Sequence, residues 1–278
     1  MKGREAIALR RDVLIERSRV VLSQDSRVLA AWLEGSLADG TADAYSDVDL
    51  HLLIRDDARQ EVWAERHVFI ERLGRILMAA DFLAGPDTVG CLLKGPIKVD
   101  VTFESESDFA TKKRTAAEPL LGSSEIYSKL RVGWEPSDDE VRLALDALVR
   151  NTFQGATWPV RLLGRKQWST FLHVEFLLIE TAIAPLMLVQ HDRRTFHRNP
   201  FGRSRNLTVE QRKTVSRLTE QVLFAARDED RQSVLAAHLA ILHQICEEAK
   251  RAFDLYELSF PEQIEDELTA FYQREWPA

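Results

Sequence analysis

Hydrophobic and polar positions divide the chain into two parts with different periods. Up to about residue 135, short apolar runs, several of period two, alternate with turn residues and two helical stretches. This pattern is typical of a mixed sheet with helices. From residue 136 onward only the 3.6-residue period of amphipathic helices is found. We therefore predict an α/β (α+β) domain at residues 1–135 and an all-α helical bundle at residues 136–278.

The pattern also predicts the individual elements. In the first part the predicted strands are 28–33, 47–54, 76–83, 89–93, 97–103 and 126–132, and the predicted helices are 4–22 and 58–73. The polar stretch 105–122 is predicted to be irregular. In the second part the predicted helices are 138–152, 158–163, 167–190, 208–226, 230–255 and 261–273. Acids after Ser137 mark the start of the first of these, because negative charge is favourable in a first helical turn.

One stretch combines a turn with two acids. Gly35 and Ser36 end an apolar strand, at a point where the backbone must turn sharply or approach a ligand closely. Ten residues later Asp47, Val48, Asp49 and Leu50 alternate polar and apolar side chains. In a strand this period places both carboxylates on one face.

Two adjacent carboxylates repel each other and need a counter-charge. Mg²⁺ is the usual one, since it takes oxygen ligands and is commonly held by carboxylates and substrate phosphates. A glycine turn can hold a phosphate against backbone N–H groups, and the Ser36 hydroxyl can add a donor. A phosphate site followed by a dicarboxylate metal site indicates phosphoryl or nucleotidyl transfer. An ordinary exposed loop leading into an edge strand is the alternative.

A third acid lies on a later predicted strand. In 97–103 the apolar side chains alternate with Lys98, Asp100 and Thr102, so Asp100 faces away from the apolar set. It is the candidate third ligand or general base. Glu104 is the alternative, because a slip in strand register would exchange the two faces.

The motif resembles the nucleotidyltransferase superfamily of DNA polymerase β and the antibiotic adenylyltransferases. That signature is Gly-Ser, a spacer of roughly ten residues and Asp-hydrophobic-Asp, with a third acid on a later strand. Gly35-Ser36 and Asp47-Val48-Asp49 match it without a gap, and Asp100 matches the third acid. Length and layout look most like the two-domain lincosamide nucleotidyltransferases, with the aminoglycoside adenylyltransferases next.

The resemblance implies an Mg²⁺-dependent enzyme that moves AMP, or another nucleoside monophosphate, from ATP or another triphosphate to a hydroxyl of a small molecule. Pyrophosphate is released. Gly35 and Ser36 would hold the β- and γ-phosphates, and Asp47 and Asp49 would ligate Mg²⁺. Asp100 would complete the metal site, accept the acceptor's proton, or do both. The implied acceptor is an antibiotic, a lincosamide or an aminoglycoside, bound by the helical bundle.

Three other features of the sequence are candidates for binding. Glu175 lies on an otherwise apolar helix and must face a cleft, a partner cation or the bundle surface. The resemblance would make it an acceptor contact, and a structural ion pair is the alternative. The basic run 112–114 could contact a triphosphate, but its composition favours a solvated turn. The arginine-rich segment 191–205 is either a phosphate-binding loop or a solvated interhelical loop.

Composition and charge limit where in the cell we expect the protein and what we expect it to bind. A net charge of −7 argues against a broad nucleic-acid surface. The longest apolar run, 176–189, contains Glu180 and Pro185 and is shorter than the roughly 20 residues that span a membrane. The charged N-terminus leaves no room for a signal peptide, so we expect a cytoplasmic protein without a membrane partner.

The sequence leaves several points open. The nucleotide preference, the acceptor and the oligomeric state, a homodimer included, are not fixed by it. A nucleotide-binding regulator or toxin–antitoxin partner with little turnover is a second hypothesis, and an RNA or protein acceptor is a third. Intact Gly35, Ser36 and the three acids favour catalysis over the regulator.

Overall fold

The chain forms two compact units, Met1–Trp134 and Glu135–Ala278, called here the N-terminal and C-terminal units. The computed structural model describes residues 3–81, 86–155, 157–198, 206–227 and 230–276. The predicted fold class is confirmed, with a mixed sheet in the first unit and helices in the second.

The N-terminal unit is built on a sheet flanked by helices. Its helices are α1 (Gly3–Ser23), α2 (Gly35–Asp39), α3 (Arg59–Ala64), α4 (Arg66–Leu73), α5 (Glu106–Thr111) and α6 (Ser124–Tyr127), with a 3₁₀ turn at Asp56–Ala58. Its strands are β1 (Val28–Glu34), β2 (Val48–Ile54), β3 (Ile76–Asp81), β4 (Thr88–Leu93), β5 (Ile97–Glu104) and β6 (Glu118–Leu121). The strand order is β3-β4-β5-β2-β1-β6, in which β2 and β5 pair in parallel and the other neighbours are antiparallel.

The end of this unit differs from the prediction. Residues 126–132 do not form a strand: Ser123 caps the short helix α6 by accepting a hydrogen bond from the backbone N–H of Ile126. The last strand is instead β6, which lies within the stretch predicted to be irregular. It has four residues and contains Pro119, and it pairs at the sheet edge, so it carries no period-two signal.

Period two gives the central strands two different faces. Val48, Leu50 and Leu52 of β2 are buried in the main core, against α1, α3 and α4. The alternate positions Asp49 and His51 therefore point to the opposite face, as the sequence predicted for Asp49. A smaller apolar cluster around Trp32 and Phe109 lies on that second face.

The C-terminal unit is helical wherever regular structure is described. Its elements are α7 (Asp138–Gln154), α8 (Trp158–Gly164), α9 (Trp168–Leu178), a π turn (Ile179–Ile183), α10 (Ala184–Leu188), α11 (Arg193–Arg198), α12 (Val209–Arg227), α13 (Arg231–Leu255) and α14 (Ile264–Glu275). Ser137 caps α7, and with Glu140 it forms a reciprocal capping box. The predicted helix start at this position is therefore present.

The predicted helix 167–190 is interrupted by the π turn. Pro185 follows it and has no N–H for the carbonyl four residues earlier, which explains the change in hydrogen bonding. The helical run Trp168–Leu188 has 21 residues and is long and apolar enough to cross a membrane by length and composition, with 56% of its most apolar window buried within the unit. The sequence-based estimate that the apolar run is too short thus covered only part of this helix. A buried core helix has the same composition.

Candidate active site

The three predicted acids lie together on one face of the N-terminal sheet. Asp49 of β2 is directly opposite Asp100 of β5 in the parallel register, and Asp47 immediately precedes β2. One carboxylate oxygen of each residue lies within 4.8 Å of the others. We call Asp47, Asp49 and Asp100 the acid cluster. Period two on both strands, together with this register, is what assembles it.

Gly35 packs directly against the acid cluster. Its φ of +64° lies in the left-handed region that favours glycine. A Cβ atom added at Gly35 would lie 2.1 Å from Oδ2 of Asp49. The absence of a side chain at Gly35 therefore makes room for the carboxylate of Asp49. From the sequence, we had predicted a sharp turn or a close approach to a ligand at this position. Ser36 follows at the start of α2 and is buried.

The acid cluster carries excess negative charge. The ammonium of Lys98 donates to Oδ2 of Asp47 and to Oδ2 of Asp100, at 2.8 Å in each case. Burial lowers the pKa of Lys98, but these two hydrogen bonds outweigh it, and the pKa lies above its ordinary value. Burial, followed by the charges of Asp47 and Asp100, raises the pKa of Asp49 to about 6. Three carboxylates thus face one ammonium.

This donor set fits a hard divalent cation. All three side chains offer oxygen atoms, which are the ligands that Mg²⁺ prefers, and Lys98 already holds positive charge between two of them. A cation at the cluster would relieve the repulsion among the carboxylates, which adds to burial in raising the pKa of Asp49. The residues present are therefore suited to hold a hard divalent cation.

A second group of acids lies on the same face, farther along the strands. Glu34, His51, Glu104 and Arg114 form what we call the buried ion network. Nε of Arg114 donates to Oε1 of Glu34 at 3.0 Å, and its Nη2 donates to Glu104. Nδ1 of His51 lies 2.9 Å from Oε1 of Glu104. The side chains of Glu104 and Arg114 are each only 1% exposed.

The buried ion network differs from the acid cluster because its charges are balanced. His51, Glu34 and Glu104 have a geometry that could hold a metal. However, Arg114 already bonds both carboxylates, and Lys112 adds a contact of 3.2 Å to Glu104. Burial raises the pKa of Glu104, but the His51 hydrogen bond and the charge of Arg114 lower it further, and the net pKa lies below its ordinary value.

Two sequence interpretations are corrected by this network. Glu104 is not an alternative third ligand in another register: it lies on the same face as Asp100 and is held by Arg114. The basic run 112–114 is not simply a solvated turn, because Arg114 is among the largest fully buried side chains. Its guanidinium also donates to the carbonyls of Phe109 and Lys112.

Glu175 lies in the core of the C-terminal unit. It is 0% exposed, and its carboxylate oxygens lie 2.9 and 3.1 Å from Nδ1 of His238. The predicted direct contact with an acceptor does not fit a side chain that has no exposed surface. Glu175 is instead the partner of a buried histidine, which is closer to the alternative of a structural pair.

The arginine-rich segment is described only in part. Arg193 pairs with Glu135 and Asp138, and Arg194 pairs with Glu135, so both have partners within their own unit. Both are at least 40% exposed at the side chain. Residues 199–205, with Arg203 and Arg205, lie outside the described residues, and the phosphate-binding interpretation for them stays untested.

The sequence contained signals for several residues that the prediction did not use. Lys98 is two positions from Asp100, so period two places it on the same face. His238 is four and seven residues from Val234 and Ile245, on the buried stripe of α13. Arg114 had no such local signal, since its burial depends on Glu34, which is 80 residues away in the chain.

Comparisons with known proteins give only distant structural likenesses. No family model matches the chain, and no curated protein matches it. Among solved structures, the chain is similar to an aminoglycoside 6-adenyltransferase from Bacillus subtilis, with 13% identity and a TM-score of 0.38 over 95% of this chain and 99% of that one. These values are too low to show a shared family, so the case for function rests on the site itself.

The first prediction concerns Gly35, with Gly40 as its matched control. Both residues have positive φ, but a Cβ at Gly40 meets nothing within 4 Å. Gly40→Ala should cost about 1 kcal/mol for the left-handed conformation. Gly35→Ala should cost about 1–3 kcal/mol more, because the methyl group displaces Asp49. Urea unfolding measures both, and equal costs would contradict the close approach.

The second prediction concerns the charge of Asp49 in metal-free protein. Because its pKa in the fold is about 6, the ionised form destabilises the fold above that pH. Asp49→Asn should therefore stabilise the protein by roughly 1–3 kcal/mol at pH 7.5, and the gain should fade as the pH falls toward 4. Calorimetric melting in the presence of a chelator measures it. Asp12→Asn, at an exposed carboxylate, is the control and should change stability little at either pH. A loss of stability in Asp49→Asn at pH 7.5 would contradict the electrostatic account.

The third prediction separates the two cations that bond Glu104. Arg114→Met removes the buried cation that bonds both Glu34 and Glu104 and should cost about 3–5 kcal/mol. Lys112→Met removes a partner that is 48% exposed and should cost under about 1 kcal/mol. Urea unfolding of the two variants gives the comparison. If the two variants lost similar amounts of unfolding free energy, the buried Arg114 would contribute no more to stability than the exposed Lys112.

Proposed function

We propose that this chain is a divalent-cation-dependent nucleotidyltransferase. It moves a nucleoside monophosphate, AMP from ATP in the first instance, to a hydroxyl of a small molecule and releases pyrophosphate. The enzyme belongs, on this proposal, to the superfamily that the Gly-Ser and Asp-Val-Asp motif resembles. The proposal includes a catalytic domain at 1–135, an acceptor-binding bundle at 136–278 and a cytoplasmic location.

The observation that carries the proposal is the acid cluster beside Gly35. Asp47, Asp49 and Asp100 bring their oxygens within 4.8 Å, and among the described residues their ion pairs are with one exposed lysine, Lys98. The neighbouring ion network shows that this sheet face can neutralise acids internally with a buried arginine. A carboxylate whose pKa is raised by burial and then by neighbouring carboxylates, as that of Asp49 is, is typical of a functional site.

Asp47, Asp49 and Asp100 would hold Mg²⁺. Bound there, the ion would neutralise charge on the triphosphate and on the α-phosphoryl group as the bond breaks. Gly35 and Ser36 would hold the β- and γ-phosphates through the backbone at the start of α2. The ammonium of Lys98 is free to turn toward a phosphate once its carboxylates are engaged, because its side chain is 57% exposed.

The transfer itself needs an oxygen nucleophile and a place for its proton. The acceptor hydroxyl oxygen attacks the α-phosphorus, the bond between that phosphorus and the α–β bridging oxygen breaks, and pyrophosphate leaves. Asp100 accepts the hydroxyl proton, since it is the carboxylate on the strand next to Asp49. Most of the rate would come from positioning and charge stabilisation, without a covalent intermediate on the protein.

The proposed acceptor is a small molecule with a free hydroxyl group. The sequence resemblance favours an antibiotic, a lincosamide first and an aminoglycoside next. Neither a nucleic-acid nor a membrane partner is required by the proposed reaction. Glu175 would act on an acceptor only through His238, because its own surface is fully buried.

The fourth prediction tests reaction and acceptor together. Pyrophosphate release from ATP should require Mg²⁺ and one drug class in a panel of lincosamides and aminoglycosides. Asp47→Asn and Asp49→Asn should each lower the rate by about two to three orders of magnitude, because charge stabilisation is lost. Asp100→Asn should slow release with little change in ATP affinity if Asp100 acts chiefly as base. Asp12→Asn is the control and should retain the full rate.

Two outcomes would count against parts of this proposal. Full activity in Asp49→Asn would remove the acid cluster as the catalytic site. Tight ATP binding without drug-dependent release of pyrophosphate would show that the acceptor is not one of these antibiotics. It would favour another acceptor, or the nucleotide-binding regulator.

A further inference from the structure

Lys98 occupies the fourth position of a square whose other three positions are the acid cluster. On β5, Lys98 precedes Asp100 by two residues, and on the neighbouring chain segment Asp47 precedes Asp49 by two. Asp49 pairs with Asp100 in the parallel register, so continuing this register by two residues sets Asp47 beside Lys98. Period two therefore brings three carboxylates and one ammonium together on the same face of the sheet.

The ammonium of Lys98 has its partners inside the acid cluster. Nζ donates to Oδ2 of Asp47 and to Oδ2 of Asp100, at 2.8 Å in each case. On the other side of β5, the residues of β4 that lie opposite Lys98 and Asp100 are Leu92 and Gly90, whose side chains offer no acceptor. Among the described residues, the hydrogen-bond partners of this ammonium are thus two of the three carboxylates that would hold a divalent cation.

A divalent cation at the acid cluster would compete with Lys98. The cation and the ammonium are attracted by the same carboxylates, and two positive charges so close together repel each other. Binding of the cation therefore costs the hydrogen bonds from Lys98 to Asp47 and Asp100. The side chain of Lys98 is 57% exposed and has a flexible stem, so the ammonium can move away without disturbing the core. A triphosphate would give the displaced ammonium a new anionic partner, which a free cation does not.

We propose that Lys98 is a competing cation that couples metal binding to triphosphate binding. Without nucleotide, its ammonium pairs with Asp47 and Asp100 and lowers the affinity of the acid cluster for a free divalent cation. When the cation binds together with a triphosphate, the ammonium moves from the carboxylates to a phosphate oxygen. The coupling rests on the proposed function, because it acts at the proposed cation site, and the Gly-Ser and Asp-Val-Asp motif does not include Lys98.

The first test measures binding of Mn²⁺ alone to the full chain, through the loss of its electron paramagnetic resonance signal. At about pH 8, Asp49 is ionised. Lys98→Met should bind Mn²⁺ at least about tenfold more tightly than the wild type, because the cation no longer displaces two charge-assisted hydrogen bonds. Lys98→Arg keeps the positive charge and should bind as weakly as the wild type. Lys94→Met is the matched control, at an exposed lysine in the turn between β4 and β5, and should also bind like the wild type.

The second test measures binding of α,β-methylene-ATP, a non-hydrolysable analogue, by titration calorimetry with saturating Mg²⁺. Lys98→Met should bind the analogue about tenfold more weakly, because the triphosphate loses a charge-assisted partner. Lys94→Met should bind it like the wild type. A lysine that only stabilised the fold would not raise the affinity for one ligand and lower it for the other when removed. Unchanged affinity for the analogue in Lys98→Met would overturn the movement of the ammonium to the triphosphate.

A double variant separates failure of the coupling from failure of the proposed function. Lys98→Met combined with Asp49→Asn should lose the tight Mn²⁺ binding. If the double variant bound Mn²⁺ as tightly as Lys98→Met, or if neither variant bound it, the acid cluster would not be the cation site, and the proposed function and the coupling would both be overturned. If Asp49→Asn abolished binding but Lys98→Met alone bound no more tightly than the wild type, only the coupling would be overturned. Weaker binding in Lys98→Met would also overturn it, because the lysine would then help to order the carboxylates for the metal.

Discussion

The parallel register between β2 and β5 is the constraint on which the candidate site depends. It sets Asp49 beside Asp100, while the alternate residues Val48 and Val99 enter the core. A slip of one residue in either strand would bury a carboxylate and expose a core valine. The hydrophobic core therefore fixes the register, and the register brings the acids together. Gly35 adds a steric condition, because only a residue without Cβ lets Asp49 occupy its position.

The two acid groups on this face show opposite solutions to the same electrostatic problem. Glu34 and Glu104 are both bonded by Arg114, which is buried with them, and Lys112 adds a second cation at Glu104. Carboxylates that already have cationic partners gain little from binding a metal ion. Among the described residues, Lys98 is the cation that pairs with the acid cluster. Burial, followed by the charges of Asp47 and Asp100, raises the pKa of Asp49. Functional sites commonly keep such unfavourable interactions, while the surrounding fold supplies the stability.

Local periodicity was enough to find the acid cluster and the fold class. Asp47, Asp49 and Asp100 could be placed on strand faces because period two is a local rule. Strand β6 could not be predicted in this way. It has only four residues, one of them a proline, and it pairs at the sheet edge, so it shows no alternation of polar and apolar side chains. The π turn before Pro185 lies inside a helix whose composition shows only that it is helical. Arg114 and His238 escaped notice because each is defined by a partner more than 60 residues away in the chain.

The central claim is that the acid cluster, and not the buried ion network, is a cation site. Crystals grown with Mn²⁺ and a non-hydrolysable ATP analogue, measured for anomalous scattering, would test it most directly. The account predicts an anomalous peak in contact with carboxylate oxygens of Asp47, Asp49 and Asp100. A peak among Glu34, His51 and Glu104, or an ordered nucleotide with no peak at the acid cluster, would contradict it.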